Sequence, residues 1–282
     1  MGFHREHLYR RLVEQALEED LGVAGDVTSR LLFGEHQREG VALILSREPG
    51  VLAGSRLAEM TFQMVDPAVQ VEFQWEDGDE FPAGAVIARI QGSVASLLEA
   101  ERTALNFLGR LSGIATLTRR YVQALEGTGA VLLDTRKTTP GWRWVEKEAV
   151  RVGGAANHRF GLFDGILIKD NHIRWAGGIA EALKRARLRA PHGMKVEIEV
   201  TNLKELQEAL DYGADIVLLD NFDLEDLREA LERIPPDVRV EVSGGVTLEN
   251  IRQIALLGVH YISVGALTHS ARWINFSMEA EA

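Results

Sequence analysis

The chain has 282 residues, of which 46% are hydrophobic and 26% charged, so it can form one or two domains with a large core. It contains no cysteine, which excludes disulfides, thiolate nucleophiles and cysteine-ligated metals. The formal net charge of −11 argues against general nucleic-acid binding. There is no apolar run of membrane-spanning length, and the charged start does not resemble a signal peptide. A cytoplasmic enzyme with no nucleic-acid or membrane partner is therefore expected.

The first third of the chain predicts a small α+β unit. Residues 8–19 have the apolar spacing of an amphipathic helix, and residues 25–29 have the composition of a helix cap. Short β-like runs follow, with turn signals between them and one helix. The runs are residues 41–45, 51–54, 69–73 and 86–90, and the helix is residues 57–64. None of these segments carries an obvious set of catalytic residues.

A helical pattern covers residues 96–125. Gly109 and Gly113 interrupt it, which predicts either two helices or one helix with a bend. Arg102 lies inside this pattern, and from the sequence alone it is interpreted as an exposed helix charge. The tail, residues 271–282, is also predicted to be a helix, one that folds back on the rest of the chain.

After Gly127 the pattern changes to alternating strands and helices. Six short apolar runs predict buried strands, and amphipathic segments between most of them predict helices. The strands are residues 131–133, 166–168, 196–200, 216–219, 238–242 and 261–264, and the helices are residues 142–150, 179–190, 203–212, 224–233 and 248–257. Repeated βα units form a parallel sheet with helices outside it, as a barrel of the TIM type or a partly open one. A doubly wound sheet is the alternative, although no GxGxxG motif follows the first strand.

Charged and small residues follow these strands. Between Asp134 and Arg174 the sequence has eight Lys or Arg residues against five Asp or Glu residues, a basic island in an acidic chain. Because α/β enzymes bind ligands at the carboxyl ends of parallel strands, this island predicts a site for an anionic small molecule. The residues that follow the strands are Asp134, Arg136, Lys137, Lys169, Asp170, Glu199, Asp220, Asn221, Ser243, Gly244, Gly245, Gly265 and Ala266.

The strand VEIEV alternates apolar and acidic side chains. If its apolar side chains pack against the helices, Glu197 and Glu199 both point into the barrel. Buried charges need partners, which Lys169 and the other basic groups could supply. A purely structural salt-bridge network is the alternative to a functional site. His158 is interpreted as an acid or base, as a donor to an anion, or as a surface histidine.

Glycines end the last two strands, in Ser243-Gly244-Gly245 and in Val264-Gly265-Ala266. Glycines at this position allow backbone N–H groups to approach a ligand closely, and barrels often bind phosphate there. The carboxylates could hold sugar hydroxyls or Mg²⁺, because oxygen ligands suit that ion. The residues alone therefore predict a barrel that binds a substrate with several phosphates or carboxylates.

Several segments together resemble the quinolinate phosphoribosyltransferase family. The stretch DTRKTTPGWRWVEKEAVRVGGAANHRFGLFDGILIKDNHI is similar to the signature region of that family. EVSGGVTLENI and ISVGALTHSA resemble its last two strand ends, ERTALNFLGRLSGIAT its helix between domains, and EDLGVAGDVTS its N-terminal segment. The resemblance covers nearly the whole chain, and the motifs are specific in combination.

The resemblance implies an N-terminal α/β sandwich domain at residues 1–110, with a helix running on to about residue 125. It implies an incomplete, open α/β barrel at residues 111–270 and a tail at residues 271–282 that packs back. The implied enzyme is a pentosyltransferase of de novo NAD synthesis. It converts quinolinate and phosphoribosyl pyrophosphate to nicotinate mononucleotide, pyrophosphate and CO₂ with Mg²⁺, as a homodimer or an assembly of dimers.

The resemblance also implies roles for individual residues. Lys137, Lys169, Glu199 and Asp220 would be catalytic, and Glu199 and Asp220 would contact the ribose hydroxyls and the metal. Arg102 would reach the site of the neighbouring subunit. The residues implied to bind substrate are Arg102, Thr135, Arg136, Lys137, His158, Arg159, Lys169, Glu199, Asp220, Ser243, Gly244, Gly245, Val264, Gly265 and Ala266.

Three alternatives stay open. One is a paralogue with the same scaffold and another anionic substrate, such as the family member associated with molybdate-transport operons. The second is a nicotinate phosphoribosyltransferase, which uses a monocarboxylate and couples to ATP; the density of basic residues favours a dicarboxylate instead. The third is a non-catalytic phosphosugar-binding barrel, which would need the glycine segments but not the carboxylates and the basic set together.

Overall fold

The computed structural model describes residues 2–33 and 38–281. The contacts between residues group into two compact units. The first unit contains Met1–Arg119, Thr139–Gly154 and Ser270–Ala282, and the second contains Arg120–Thr138 and Ala155–His269. Within the described ranges, every helix is too short or too polar to cross a membrane.

The helices and strands follow one another in an order close to the prediction. In the first half of the chain they are α1 (Gly2–Leu21), α2 (Val27–Phe33), β1 (Glu39–Ser46), β2 (Gly50–Val51), α3 (Ser55–Val65), β3 (Gln70–Phe73), β4 (Glu80–Phe81), β5 (Val86–Ser93), α4 (Val94–Ala124), β6 (Val131–Leu133) and α5 (Arg143–Val152). In the second half they are β7 (Ile166–Ile168), α6 (Asp170–Ala176), α7 (Ile179–Arg189), β8 (Val196–Val200), α8 (Leu203–Asp211), β9 (Ile216–Asp220), α9 (Leu224–Arg233), β10 (Arg239–Ser243), α10 (Ile251–Ala255), β11 (Tyr261–Ser263), α11 (Ala266–His269) and β12 (Phe276–Ala280).

An antiparallel sheet with the strand order β12-β1-β5-β3 organises the first unit. Its core includes Ile44, Phe62, Ile90 and Leu108, each fully buried. The predicted cap at residues 25–29 is confirmed, because Asp26 Oδ1 accepts a hydrogen bond from the Ser29 N–H at 3.1 Å. The hydrogen bonds from Ser29 also lower the pKa of Asp26, as expected for a carboxylate at a helix N-terminus. The cap begins the short helix α2, which the sequence pattern does not predict.

Residues 276–280 of the C-terminal tail form the strand β12, so the prediction of a helix in the tail at residues 271–282 is wrong. α4 is one continuous helix, and its two glycines allow the tail to pass close to it. A Cβ at Gly113 would lie 2.0 Å from the Arg272 carbonyl oxygen, and the Gly109 carbonyl accepts the Ile274 N–H at 3.0 Å. The tail then continues as β12, which pairs with β1 in antiparallel register from Ser46 to Ala42. A helix at this place could not supply those edge hydrogen bonds.

The second unit contains a six-stranded sheet in the order β6-β11-β10-β9-β8-β7. Its strand pairs are parallel, and β6 and β7 form its two ends, so the barrel is open as predicted. Alternate side chains such as Ile198, Val217, Val240 and Ile262 are buried against the helices. Since all six strands point the same way, their carboxyl ends form one edge, and the residues that follow them lie together.

Candidate active site

A cavity of about 640 Å³ lies at the carboxyl ends of the strands in the second unit. The predicted strand-end residues Asp134, Asp170 and Asn221 are not among the residues that line it, whereas the residues of this unit that the family resemblance implies to bind substrate all line it. They are Thr135, Arg136, Lys137, His158, Arg159, Lys169, Glu199, Asp220, Ser243, Gly244, Gly245, Val264, Gly265 and Ala266. Side chains that the sequence did not single out as site residues complete the wall: Leu167, Leu218, Glu241, Val246, Thr247, Ser263 and His269.

Four cationic side chains face this cavity, and three carboxylates accompany them. The cations are Arg136, Lys137, Arg159 and Lys169, and the carboxylates are Glu199, Asp220 and Glu241. Burial, and then the neighbouring charge of Arg136, lower the pKa of Arg159. The effect of Arg136 means that its guanidinium group is close enough to repel that of Arg159. An anion bound between the two groups would offset this repulsion.

Lys137 is fixed through its backbone at the end of β6. Its N–H donates to Thr135 Oγ1 at 3.0 Å, and its carbonyl accepts from Thr268 Oγ1 at 2.8 Å. A Cβ at Gly265 would lie 3.0 Å from Lys137 Cδ, so the missing side chain at Gly265 leaves room for the lysine. Two strand ends therefore hold one lysine at the cavity wall.

Lys169 and Glu199 form an ion pair across two neighbouring strands. Lys169 Nζ donates to Glu199 Oε2, and 13% of the Glu199 side chain is exposed. The expectation that Lys169 would partner an inward carboxylate is confirmed. The pair places one cation and one anion side by side at the cavity, where a substrate with both anionic groups and hydroxyls can engage each.

His158 is held on two sides by protein atoms. Its backbone N–H donates to Asp134 Oδ1 at 2.9 Å, and Asp134 is fully buried at the end of β6. Its ring Nδ1 accepts the Arg159 N–H at 2.7 Å. Its ring Nε2 lies 3.4 Å from Glu197 Oε2 and 3.6 Å from Glu241 Oε1. His158 thus lines the cavity while both ring nitrogens are engaged with the protein.

Glu241 is a buried cavity residue that the sequence did not single out. It lies on β10, two residues before Ser243, and 2% of it is exposed to solvent. Burial is the largest cause that raises its pKa to about 7, and the charge of Glu197 is the next. The alternation in RVEVS is the same signal that identified Glu197 and Glu199, and it places Glu241 and Ser243 on one face of the strand.

A glycine loop, residues 243–245, follows β10. Gly244 has φ of +85° and Gly245 has φ of +63°, both in the left-handed region that favours glycine. Asn221, itself at φ 58°, donates its backbone N–H to the Ser243 carbonyl at 2.9 Å. Among the described residues, no backbone acceptor takes the N–H of Gly244 or Gly245. Two N–H donors at a cavity edge suit a phosphate.

Comparison with known proteins connects this geometry to a family. The model of the quinolinate phosphoribosyl transferase C-terminal domain matches residues 114–279, and the model of the N-terminal domain matches residues 26–112. The chain belongs to the quinolinate phosphoribosyltransferase family. A probable carboxylating nicotinate-nucleotide pyrophosphorylase of Bacillus subtilis is 44% identical over 270 residues, which are 96% of this chain and 92% of the relative. A quinolinate phosphoribosyltransferase of Nicotiana tabacum is 40% identical over 99% of this chain and 84% of the relative.

Solved structures of the quinolinate phosphoribosyltransferase family agree with the whole fold. The nicotinate-nucleotide pyrophosphorylase of Francisella tularensis has a TM-score of 0.91 at 43% identity and covers 98% of this chain and 96% of its own. The enzyme of Ehrlichia chaffeensis has a TM-score of 0.93 at 34% identity and covers 100% and 99%. Human nicotinic acid phosphoribosyltransferase has a TM-score of 0.63 at 15% identity, which shows a shared fold and no more.

Arg102 is the predicted site residue outside the second unit. It lies on α4 with 62% of its side chain exposed, and its guanidinium is 4.0 Å from Glu101 Oε1. The prediction that Arg102 is an exposed charge on a helix is therefore confirmed for the single chain.

Proposed function

We propose that the chain transfers the phosphoribosyl group from phosphoribosyl pyrophosphate to quinolinate and decarboxylates the product, giving nicotinate mononucleotide, pyrophosphate and CO₂. The observation that carries this proposal is the cavity in which four cations and two glycine-bearing strand ends meet. Both substrates are polyanions, so a cationic cavity is needed to bring them together. The cytoplasm, expected from the composition, is the compartment that we propose.

The cationic side chains would do most of the binding. We assign Arg136, Lys137, Arg159 and Lys169 to the quinolinate carboxylates and to the pyrophosphate. Pyrophosphate leaves as an anion, and fixed cations stabilise the charge that develops on it. Thr135, His158, Val264, Gly265 and Ala266 would complete the substrate contacts. The glycine loop would hold the 5′-phosphate through its N–H groups.

The carboxylates would act on the sugar. Displacement at the anomeric carbon of ribose builds positive charge on the ring, which Glu199 or Asp220 can stabilise. Both carboxylates can also accept hydrogen bonds from ribose hydroxyls. Because Lys169 is already bound to Glu199, substrate phosphates that compete for Lys169 would release Glu199 to the sugar.

Mg²⁺ is the cofactor that we propose, with Glu199 and Asp220 as its protein ligands. The donor set fits, because two carboxylates line the cavity and oxygen ligands suit this ion. Asp220 is the better placed of the two. Its Oδ2 accepts from the neutral Asn221 Nδ2 at 2.8 Å, whereas the charge of Glu199 is already offset by Lys169. When bound, the ion would offset negative charge on the pyrophosphate.

We propose a homodimer, or an assembly of dimers, in which Arg102 completes the neighbouring site. Mixing two inactive variants tests this. In a dimer of one Arg102→Ala subunit and one Lys137→Ala subunit, one of the two sites would contain both wild-type residues. Random mixing in equal amounts should then restore about a quarter of wild-type activity. If the subunits have exchanged and the mixture is still inactive, the proposal that Arg102 completes the site of the neighbouring subunit is contradicted.

The reaction is tested by turnover of alternative substrates. Phosphoribosyl pyrophosphate and Mg²⁺ are supplied with either quinolinate or nicotinate, and pyrophosphate release is followed. We expect turnover with quinolinate and none with nicotinate. Turnover with nicotinate alone would replace this proposal with the monocarboxylate reaction. No turnover with either quinolinate or nicotinate would indicate that the cavity binds another anion, or that the chain is a non-catalytic binding module.

A further inference from the structure

Two carboxylates are buried together inside the barrel beside His158. Glu197 on β8 is 6% exposed and Glu241 on β10 is 2% exposed. One oxygen of each carboxylate (Oε1) is buried without a hydrogen-bond partner among the described residues. The candidate ligand atoms of Glu197, Glu241 and His158 all lie within 4.8 Å of one another. Two charged carboxylates in such a place repel each other, so the cluster needs a proton or a cation.

The surroundings of Glu241 favour a proton on that side chain. Burial and the charge of Glu197 raise its pKa to about 7, while His158 and a hydrogen bond from Ser263 lower it. The groups that face it are Glu197 on β8, His158 in the loop after α5, and Ser263 on β11; its register partner on β9 is the apolar Leu218. A substantial fraction of Glu241 is therefore a neutral acid near pH 7.

The orientation of His158 argues against a metal in the cluster. Its Nδ1 accepts the Arg159 N–H at 2.7 Å, so the neutral ring carries its hydrogen on Nε2, the nitrogen that faces the carboxylates. A metal bound to Nε2 would require a hydrogen on Nδ1, which would then meet the Arg159 N–H. A protonated Nε2 can instead donate to Glu197 or Glu241.

The proposed reaction has a step that needs a proton donor. After the ribose–nitrogen bond forms, the bond between the ring carbon next to that nitrogen and its carboxylate breaks. CO₂ leaves, and the electron pair stays on the ring carbon, which must take up a proton. Glu241 lines the substrate cavity, and as a neutral acid it does not repel the anionic substrates.

We propose that Glu241 is the general acid that protonates this ring carbon, with Glu197 and His158 as positioning residues. The O–H bond of Glu241 breaks, its proton forms the new C–H bond, and a carboxylate remains. Glu241 regains a proton from water after the nucleotide leaves. This inference rests on the proposed function, because it concerns the decarboxylation half of that reaction.

The test compares Glu241→Gln with Glu241→Asp and the wild type. Single-turnover formation of nicotinate mononucleotide is measured from pH 5.5 to 9, which extends roughly two pH units to either side of neutrality. We expect Glu241→Gln to slow product formation about 100-fold or more, while quinolinate affinity changes only a few-fold. Glu241→Asp keeps the acid and should recover part of the rate. An inactive Gln variant with an equally inactive Asp variant that binds quinolinate would contradict proton donation.

The dependence of the rate on pH distinguishes a general acid from a residue that only supports the fold, because only a general acid changes that dependence when it is substituted. A general acid must hold its proton, so the wild-type rate should fall as pH rises through about 7. That fall should be absent in Glu241→Gln, and it should move to lower pH in Glu197→Gln, which removes the charge that favours the neutral acid. A near-wild-type rate in Glu241→Gln, or an unmoved fall in both variants, would overturn the proposal.

Two further results would have a different meaning from a failure of Glu241 as the acid in an active enzyme. If the wild type contains a tightly bound divalent metal that Glu241→Gln loses, elemental analysis would show a metal site, and the acid would be wrong. If the wild type forms no product from quinolinate, the proposed function fails, whatever Glu241 does.

Discussion

Substitution of Gly244 should weaken substrate binding far more than it weakens the fold. Its φ is +85°, and a Cβ there would lie 2.3 Å from Asn221 Oδ1 and 2.9 Å from the Asn221 backbone nitrogen. The left-handed conformation alone costs alanine about 1–2 kcal/mol. Because one of the two clashes involves backbone, the glycine loop must also move away from Asn221. The Gly244 N–H then leaves the position from which it would bind phosphate.

The expected loss follows from that hydrogen bond. A hydrogen bond to a charged group contributes about 1.5–3 kcal/mol, so Gly244→Ala should weaken binding of phosphoribosyl pyrophosphate about 10- to 150-fold. Calorimetric titration of phosphoribosyl pyrophosphate measures this affinity directly. Gly258→Ala is the matched control, since its φ is +91° and a Cβ there meets no atom within 4 Å. Equal affinities in the two variants would refute the assignment of the loop.

Two further substitutions test the site and the fold. Lys137→Ala should lower turnover by about 100-fold or more with an unchanged melting temperature, whereas Lys195→Ala, 73% exposed, should leave both unchanged; wild-type turnover in the first would contradict the site. Gly113→Ala should destabilise the protein by about 1–3 kcal/mol, because the new Cβ would lie 2.0 Å from the Arg272 carbonyl oxygen. Helix propensity alone predicts the opposite sign, so a raised melting temperature would contradict the close approach of the tail to α4.

The strand ends are predictable from sequence because parallel sheets follow two simple rules. Short apolar runs identify buried strands, and a shared direction gathers the residues after them at one edge. Those rules predict that Lys137, Lys169, Glu199 and Asp220 lie near one another, and all four line the same cavity. The alternation in VEIEV names Lys169 as a possible partner of an inward glutamate, but it cannot decide between Glu197 and Glu199, since that contact depends on how the two strands align.

The wrong prediction of a helical tail, and the features that the sequence did not reveal, concern interactions between segments that are distant in sequence. The pattern of the tail cannot reveal its pairing partner, β1, because β1 lies more than 200 residues earlier. Gly109 and Gly113 predict either two helices or one helix with a bend; the structure has the single helix α4, and both glycines allow the tail to approach it. Glu241 does not stand out in the sequence because one acidic residue on a strand usually faces solvent, and its burial depends on the closure of neighbouring strands.

The stoichiometry of one reaction tests whether the chain couples phosphoribosyl transfer to the decarboxylation of quinolinate. Quinolinate labelled in the carboxylate next to the ring nitrogen is incubated with phosphoribosyl pyrophosphate, Mg²⁺ and the protein. Labelled CO₂, pyrophosphate and nicotinate mononucleotide are then measured against the quinolinate consumed. We expect equal amounts of all three products, one of each for every quinolinate consumed. Pyrophosphate without labelled CO₂, or consumption of phosphoribosyl pyrophosphate without quinolinate, would contradict it.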